Sequence, residues 1–251
     1  YDEMVYVAEL DQYVPRPEVP DGATVFSLSG TELRSRIKDN KPIPPWFTYP
    51  EVVAVLKKET LPKHKQGVVL WFTGLSSSGK STIAGALEKK LTEIKFENDG
   101  QRSVTKFDGD WVRQHLSKGL GFSKEDRATN VERVGAVAAE ITKHGGAVIC
   151  ALISPEKTVR EKVRKMVERN GIFIEIYVDT PLEVCEERDV KGLYAQARAG
   201  QIKNFTGISD SYEPPDKPEL TIDTTKMNPE ESAEEITDFL VHQGYINLGN
   251  N

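Results

Sequence analysis

The chain has 251 residues, 38% of them hydrophobic and 29% charged, with 33 Lys plus Arg against 39 Asp plus Glu and a formal net charge of −6. That apolar content supports one sizeable core, while the acidic balance argues against a nucleic-acid binder, which displays clustered basic charge. No apolar run approaches the length needed to span a bilayer, and Cys150 and Cys185 lack CxxC spacing, so neither a membrane span, a zinc site nor a disulfide framework is implied.

From the N-terminus, residues 1–60 are broken by prolines between Pro15 and Pro50. Ser29-Gly-Thr-Glu32 ahead of Leu33 and Ile37 reads as a capped short helix, and Pro50 with Val52, Val53 and Leu56 as another, ending in Lys57–Glu59. Such a stretch is too short for a convincing core of its own and reads as an extension poor in regular α/β structure. Residues 61–66 read as a linker. The chain opens at Tyr1 without a signal-peptide pattern, which we take as one piece of a longer polypeptide, soluble and cytoplasmic.

From Gly67 the pattern changes. Val68–Phe72, Val104–Phe107, Ala147–Ile153, Ile172–Val178 and Leu220–Ile222 read as five short strands. Ile83, Leu87 and Leu91 share one helical face, as do Val131, Val134, Ala138 and Ile141, and further helices are expected over 156–169, 181–188 and 229–241. Alternating strands and helices imply a parallel sheet covered on both faces, because parallel strands need crossover connections. There is no internal repeat and no low-complexity tract.

The strongest motif is Gly74-Leu75-Ser76-Ser77-Ser78-Gly79-Lys80-Ser81, followed by Thr82, a full GxxxxGK[ST] between an apolar strand and a helix. Its glycines let successive N–H groups turn toward phosphate oxygens, aided by the helix N-terminus. Lys80 can neutralise β/γ-phosphates and Ser81 can ligate Mg²⁺, so ATP with magnesium is the expected pair. The fold class is then α/β of the P-loop NTP hydrolase type. A phosphate loop alone does not choose a reaction. The absence of an NKxD sequence speaks against a GTPase, and the compact length favours a small-molecule kinase over a motor.

The second strand ends in Phe107-Asp108-Gly109-Asp110-Trp111-Val112-Arg113, and carboxyl ends of parallel strands face the ligand crevice. A carboxylate there can accept a hydroxyl proton or hold magnesium through water, although Asp110 also suits a helix N-cap. Several segments, in order, now carry a resemblance. They are Asp108-Gly-Asp110…Arg113, Leu120-Gly-Phe122-Ser…Asp126-Arg127…Asn130, Ile153-Ser154-Pro155, Phe173–Asp189, Lys191-Gly-Leu-Tyr194 and Ile202-Lys203-Asn-Phe205-Thr-Gly-Ile208. Over nearly all of 67–225 the chain is similar to adenylylsulfate kinases, and 67–251 is read as that domain, which implies transfer of the ATP γ-phosphoryl to the 3′-hydroxyl of adenosine 5′-phosphosulfate (APS), giving 3′-phosphoadenylylsulfate (PAPS).

The resemblance implies that Phe122 and Phe205 sandwich the APS adenine. Arg113, Arg127 and Asn130 would hold phosphosulfate and sugar, Lys203 would anchor the nucleotide, and Ile153 would line the site. It gives Asp108 the part of general base or hydroxyl orienter, and Asp110 that of supporting magnesium or the site geometry. Ser154 aligns with a serine proposed in some relatives as a phosphorylated intermediate; the preferred reading is direct in-line transfer with Ser154 lining the site. Segment 190–207, with Lys191, Tyr194 and Arg198, resembles a water-excluding lid. Departures from the family pattern are Trp111 for Asn, Leu152 for Phe, Val190 for Pro, and the stretch Glu156–Arg160.

Residues 1–60 resemble the C-terminal end of ATP sulfurylase through Val5-Tyr6-Val7, Val25–Arg34 and Ile43–Val52. His64, His115, His144 and His242 are scattered, so the sulfurylase reaction, which needs closely spaced histidines, is not expected here. The implied partners are that sulfurylase portion and further copies of the chain. The competing reading is a catalytically weak regulatory domain that binds PAPS or APS, against which the complete phosphate loop speaks.

Overall fold

The computed structural model describes residues 3–38, 41–59, 63–93 and 103–246. Two units divide the chain, residues 1–65 and residues 66–251. Leu61 and Pro62 of the expected linker lie outside the described residues.

In the first unit, β1 (Met4–Val7) pairs antiparallel with β2 (Gln12–Pro15) on one side and β3 (Val25–Phe26) on the other. Alternation along β1 buries Val5 and Val7 and leaves Met4 exposed. α1 (Gly30–Lys38) opens as expected, Ser29 Oγ accepting from Glu32 N at 3.1 Å. α2 follows over Pro50–Glu59. The Trp46 ring stacks on Tyr6 at 5.3 Å and on Phe26 at 5.7 Å, an aromatic packing that does the work of a larger core. This corrects the expectation of a stretch poor in regular structure. The three strands have four residues or fewer, too short for alternation to stand out in sequence.

The second unit runs β4 (Val68–Thr73), α3 (Lys80–Glu93), β5 (Val104–Asp108), α4 (Gly109–His115), α5 (Lys124–Lys143), β6 (Ala147–Ala151), α6 (Lys157–Val167), β7 (Ile172–Val178), α7 (Leu182–Arg188), α8 (Leu193–Arg198), β8 (Leu220–Ile222) and α9 (Pro229–His242). Its sheet has the order β5-β6-β4-β7-β8, every pair parallel. All six residues of β4 are buried, as a central parallel strand covered on both faces requires. Val68, Leu70 and Phe72 face α3 and α9. Val69 and Trp71 face the opposite layer of α5 and α6. β6 stops at Ala151, two residues short of the expected run, because Leu152 and Ile153 leave the sheet ahead of a left-handed residue, Ser154 with φ 39°.

α5 and α9 open on side-chain caps. Ser123 Oγ accepts from Asp126 N at 3.1 Å to start α5. Asn228 and Glu231 form a reciprocal capping box on α9, at 2.8 and 2.9 Å, with Pro229 in the first turn.

Gly135 sits where α5 meets α6, and a Cβ there would lie 2.6 Å from Val163 Cγ2. Alanine is ordinarily worth about 1 kcal/mol over glycine in a helix interior. Here the buried overlap outweighs that gain, so we expect Gly135→Ala to destabilise the unit by about 1–3 kcal/mol. Urea denaturation checks this. Adding Val163→Ala should remove the clash and give a double variant more stable than the sum of the two single losses.

Candidate active site

Parallel pairing brings the ends of all five strands to one edge of the sheet. Phe72 lies beside Ala151, Ala151 beside Asp108, and Thr73 beside Tyr177. The loop after β4 approaches the sheet so closely that a Cβ on Gly74, whose φ is +150°, would meet the Val178 carbonyl at 2.6 Å. Gly79 has φ +105° and packs against Thr224. Only glycine fits the first position, and the second is strained for any other residue.

Side chains from three later segments fasten the loop. Thr180 Oγ1 and Thr224 Oγ1 both donate to the Ser78 carbonyl, at 2.9 and 3.1 Å, and the two hydroxyls lie 2.7 Å apart. Arg188 Nη1 donates to Thr224 Oγ1 at 2.8 Å. Tyr194 Oη, on α8, donates to the Ser76 carbonyl at 3.0 Å. Gly74 N and Ser78 N donate to the Ile153 and Leu75 carbonyls, and with its carbonyls held from behind the loop can turn its other amides toward an anion.

Lys80 opens α3 and is 7% exposed. Its ammonium donates to the Leu75 carbonyl at 2.5 Å and to Ser78 Oγ at 3.2 Å. Burial brings its pKa down to about 8, with the nearby Asp108 carboxylate opposing the shift. Asp108 caps α4 by accepting from Asp110 N at 3.0 Å, so the capping carboxylate is Asp108 and not Asp110. Asp110 forms an exposed ion pair with Lys191 at 2.5 Å.

Ser154 is 3% exposed, and its Oγ accepts from the Trp71 indole at 3.1 Å. Its carbonyl accepts from Arg160 Nη1 at 2.7 Å, and Arg160 is itself paired with Glu175 at 2.7 Å in the interior. The strained conformation is therefore held from both ends of the residue.

These groups surround one cavity of about 560 Å³. Ser76, Ser77, Ser78, Gly79, Lys80, Ser81 and Thr82 line it from the loop, joined by Asp108, Asp110, Arg113, Phe122, Arg127, Asn130, Ile153, Ser154 and Phe205. Three expected residues are not in the lining. Gly74 and Leu75 shape the loop, and Lys203 is exposed. The Arg113 guanidinium stands 4.2 Å over the exposed Phe122 ring, and burial lowers its pKa. Phe205 meets Tyr194 edge-on at 5.0 Å. Asn130 Oδ1 and Arg127 Nε are buried without a hydrogen-bond partner among the described residues, the condition of groups that await a polar ligand. Trp111 stacks on His115 at 4.6 Å and is absent from the lining.

Sequence reading missed Thr224, Arg188, Asn204 and Thr206 in the wall. Arg188 closes α7 and Thr224 follows β8 by two residues, whereas Asn204 and Thr206 lie in irregular chain, where no periodicity marks them.

A family model described as adenylylsulphate kinase matches residues 66–223, and one for ATP-sulfurylase matches residues 1–59. The chain is 44% identical over 246 residues to a sulfate adenylyltransferase of Aspergillus oryzae, and 43% identical to one of Neurospora crassa. Each match covers 98% of this chain and 42% of the relative, so the chain spans about two fifths of those proteins. The hexameric APS kinase of Thiobacillus denitrificans superposes with a TM-score of 0.68 at 41% identity, over 98% of this chain and 43% of that one. The Mycobacterium tuberculosis APS kinase, in complex with AMPPNP and APS, gives 0.63 at 42% identity, over 70% of this chain and 98% of that one.

Phosphates placed beside Lys80 favour its charged form and raise its pKa from about 8. Between the free and bound values the complex holds a proton that the free protein lacks. Nucleotide binding near pH 8.5 should then take up protons, and affinity should fall as pH rises above 8. Calorimetric titration in buffers of different ionisation enthalpy reads this uptake, which Lys80→Met should abolish.

Proposed function

The chain belongs to the adenylylsulphate kinase family, and on that premise we propose that it transfers the γ-phosphoryl group of ATP to the 3′-hydroxyl of APS, releasing PAPS and ADP, in sulfate activation. The observation that carries this reading is one cavity holding both a phosphate loop and an acceptor wall with unsatisfied buried polar atoms.

In this reading Asp108 orients the 3′-hydroxyl and takes its proton as the oxygen attacks the γ-phosphorus in line; ADP leaves on the opposite side. The buried Lys80 ammonium stabilises charge on the transferring group, with loop amides beside it. Phe122 and Phe205 hold the adenine of APS by stacking, and Arg113 and Asn130 serve its anionic and sugar groups. Ser154 lines the site with its Oγ accepting from the Trp71 indole, and direct in-line transfer requires no phosphoserine. Lys203 supplies long-range positive charge from the surface.

Magnesium fits the donor set. Among the described residues no group of three or more His, Cys, Asp or Glu is placed to hold a metal, yet Ser81 and Asp108 line the same cavity. Mg²⁺ keeps waters and relies on substrate phosphates, so the Ser81 hydroxyl would suffice as the protein's direct ligand, leaving Asp108 to the 3′-hydroxyl. When bound it would neutralise charge between the β- and γ-phosphates. Asp110, paired with Lys191, would support the site geometry.

Residues 1–60 are read as the end of an ATP sulfurylase, residues 61–66 as a linker, and residues 67–251 as the kinase domain. The sulfurylase portion and further copies of the chain would be its protein partners. No helix among the described residues is long and apolar enough to cross a membrane, and both cysteines are buried free thiols, which supports a cytoplasmic setting.

A coupled assay with ATP, magnesium and APS should show ADP release that requires all three. PAPS binding without ADP release would favour the regulatory reading. Asp108→Asn should lower kcat by about 10²–10³ while changing APS affinity little, because a base acts in the transition state. Phe205→Ala should instead weaken APS binding by roughly one to two decades. Initial rates paired with calorimetry separate the two, and normal kcat in Asp108→Asn would remove it from the chemistry.

A further inference from the structure

Arg127 was expected to hold substrate, yet the structure gives both its Nη groups to the protein. Nη1 donates to the Asn204 carbonyl at 2.7 Å, and Nη2 pairs with the Asp210 carboxylate. One guanidinium thus grips the chain on either side of Phe205. Asp210 completes the turn from within: its amide donates to the Phe205 carbonyl at 3.1 Å, its carbonyl accepts from Gly207 N at 2.8 Å, and its other carboxylate oxygen accepts from Ser211 N at 2.9 Å.

The segment needs such a hold. Between α8 and β8 the chain forms no helix or strand. Asn204, immediately before Phe205, has φ 56°, a left-handed conformation that asparagine tolerates, and its carbonyl is the one that Arg127 Nη1 holds. The Arg127 side chain is 11% exposed and that of Asp210 30%, so solvent screens the pair less than an ordinary surface bridge.

Resting on the reading of this cavity as the APS site, we propose that Asp210 is a positioning residue for the acceptor. Through Arg127 it fixes the 204–210 turn and thereby sets the ring of Phe205 against the adenine. Asp210 itself touches no substrate. Arg127 Nε stays unpaired among the described residues and Arg127 still lines the cavity, so the pairing leaves that nitrogen to APS; were Asp210 instead only withholding the guanidinium from APS, removing it would tighten APS binding.

Steady-state ADP release by the full chain, with APS varied at saturating ATP, tests this. Asp210→Ala should raise the KM for APS about five- to twentyfold, a share of what one stacked base is worth. kcat and the KM for ATP should stay within twofold, a split that general loosening of the fold would not produce. Asp210→Asn keeps an acceptor oxygen without the charge, and a two- to fivefold rise is expected; it carries the test if the alanine variant does not fold. Because Asp210 acts through Arg127, Arg127→Ala/Asp210→Ala should be within twofold of Arg127→Ala alone. An unchanged or lowered KM for APS in the Asp210 variants, or multiplying effects in the double variant, overturns the proposal. If Phe205→Ala still raises that KM, the reading of the cavity survives that failure. No ADP release with APS from the unaltered chain overturns both.

Discussion

Parallel pairing of β4 between β6 and β7 is the constraint on which everything else rests. Because every strand runs the same way, the chain must leave the sheet five times at one edge, and each exit delivers a different chemical group. β4 delivers the phosphate loop, β5 Asp108, β6 Ser154, β7 Thr180 and β8 Thr224. None of these residues is near another in sequence, apart from the loop's own members. Register does the assembling: with Asp108 beside Ala151 and Ala151 beside Phe72, the carboxylate and the loop are held at a spacing that no local interaction could secure.

The two apolar layers make that register rigid. Residues of β4 alternate between a layer built with α3 and α9 and a layer built with α5 and α6, so a one-residue slip would send Trp71 to the wrong face. The same alternation explains a polar feature of the interior. Trp71 points toward α5 and α6, where its indole needs an acceptor, and Ser154 supplies it at 3.1 Å. Packing of the core and shape of the site are thus joined through one hydrogen bond. Arg160 repeats the pattern from α6, reaching the Ser154 carbonyl while paired with Glu175 of β7. Its charge is tolerated inside because every direction it faces offers an acceptor.

How much of this was legible follows from how local each signal is. Strands buried on both faces are uninterrupted apolar runs, so the five strands of the second unit stood out, four of them within one residue of their observed ends. Ala147–Ile153 was overextended because Leu152 and Ile153 are as apolar as a strand, and only backbone geometry at Ser154 shows where pairing stops. The short strands of the first unit left no pattern to read. In the site, the loop was legible from its spacing, and Phe122, Asn130 and Phe205 from a resemblance. Thr180 and Thr224 reach the Ser78 carbonyl across 102 and 146 residues of sequence, and Arg188 reaches Thr224 across 36. No periodicity marks such contacts. Lys203 looked like a site residue by its neighbours, but in an irregular turn adjacent side chains point in unrelated directions.

The Trp71–Ser154 bond also gives the molecule an optical property. Trp46, Trp71 and Trp111 are its three tryptophans, one in the first unit, one in the central sheet and one exposed on α4. An indole in a dry interior fluoresces at shorter wavelength than one in water, so the emission of Trp71 and Trp111 separates into blue and red components. Any event that shifts Ser154 alters the hydrogen bond of Trp71 and with it the brightness of the blue component. The protein carries its own unlabelled lamp one hydrogen bond behind the wall of its candidate cavity, suited to stopped-flow recording of ligand arrival.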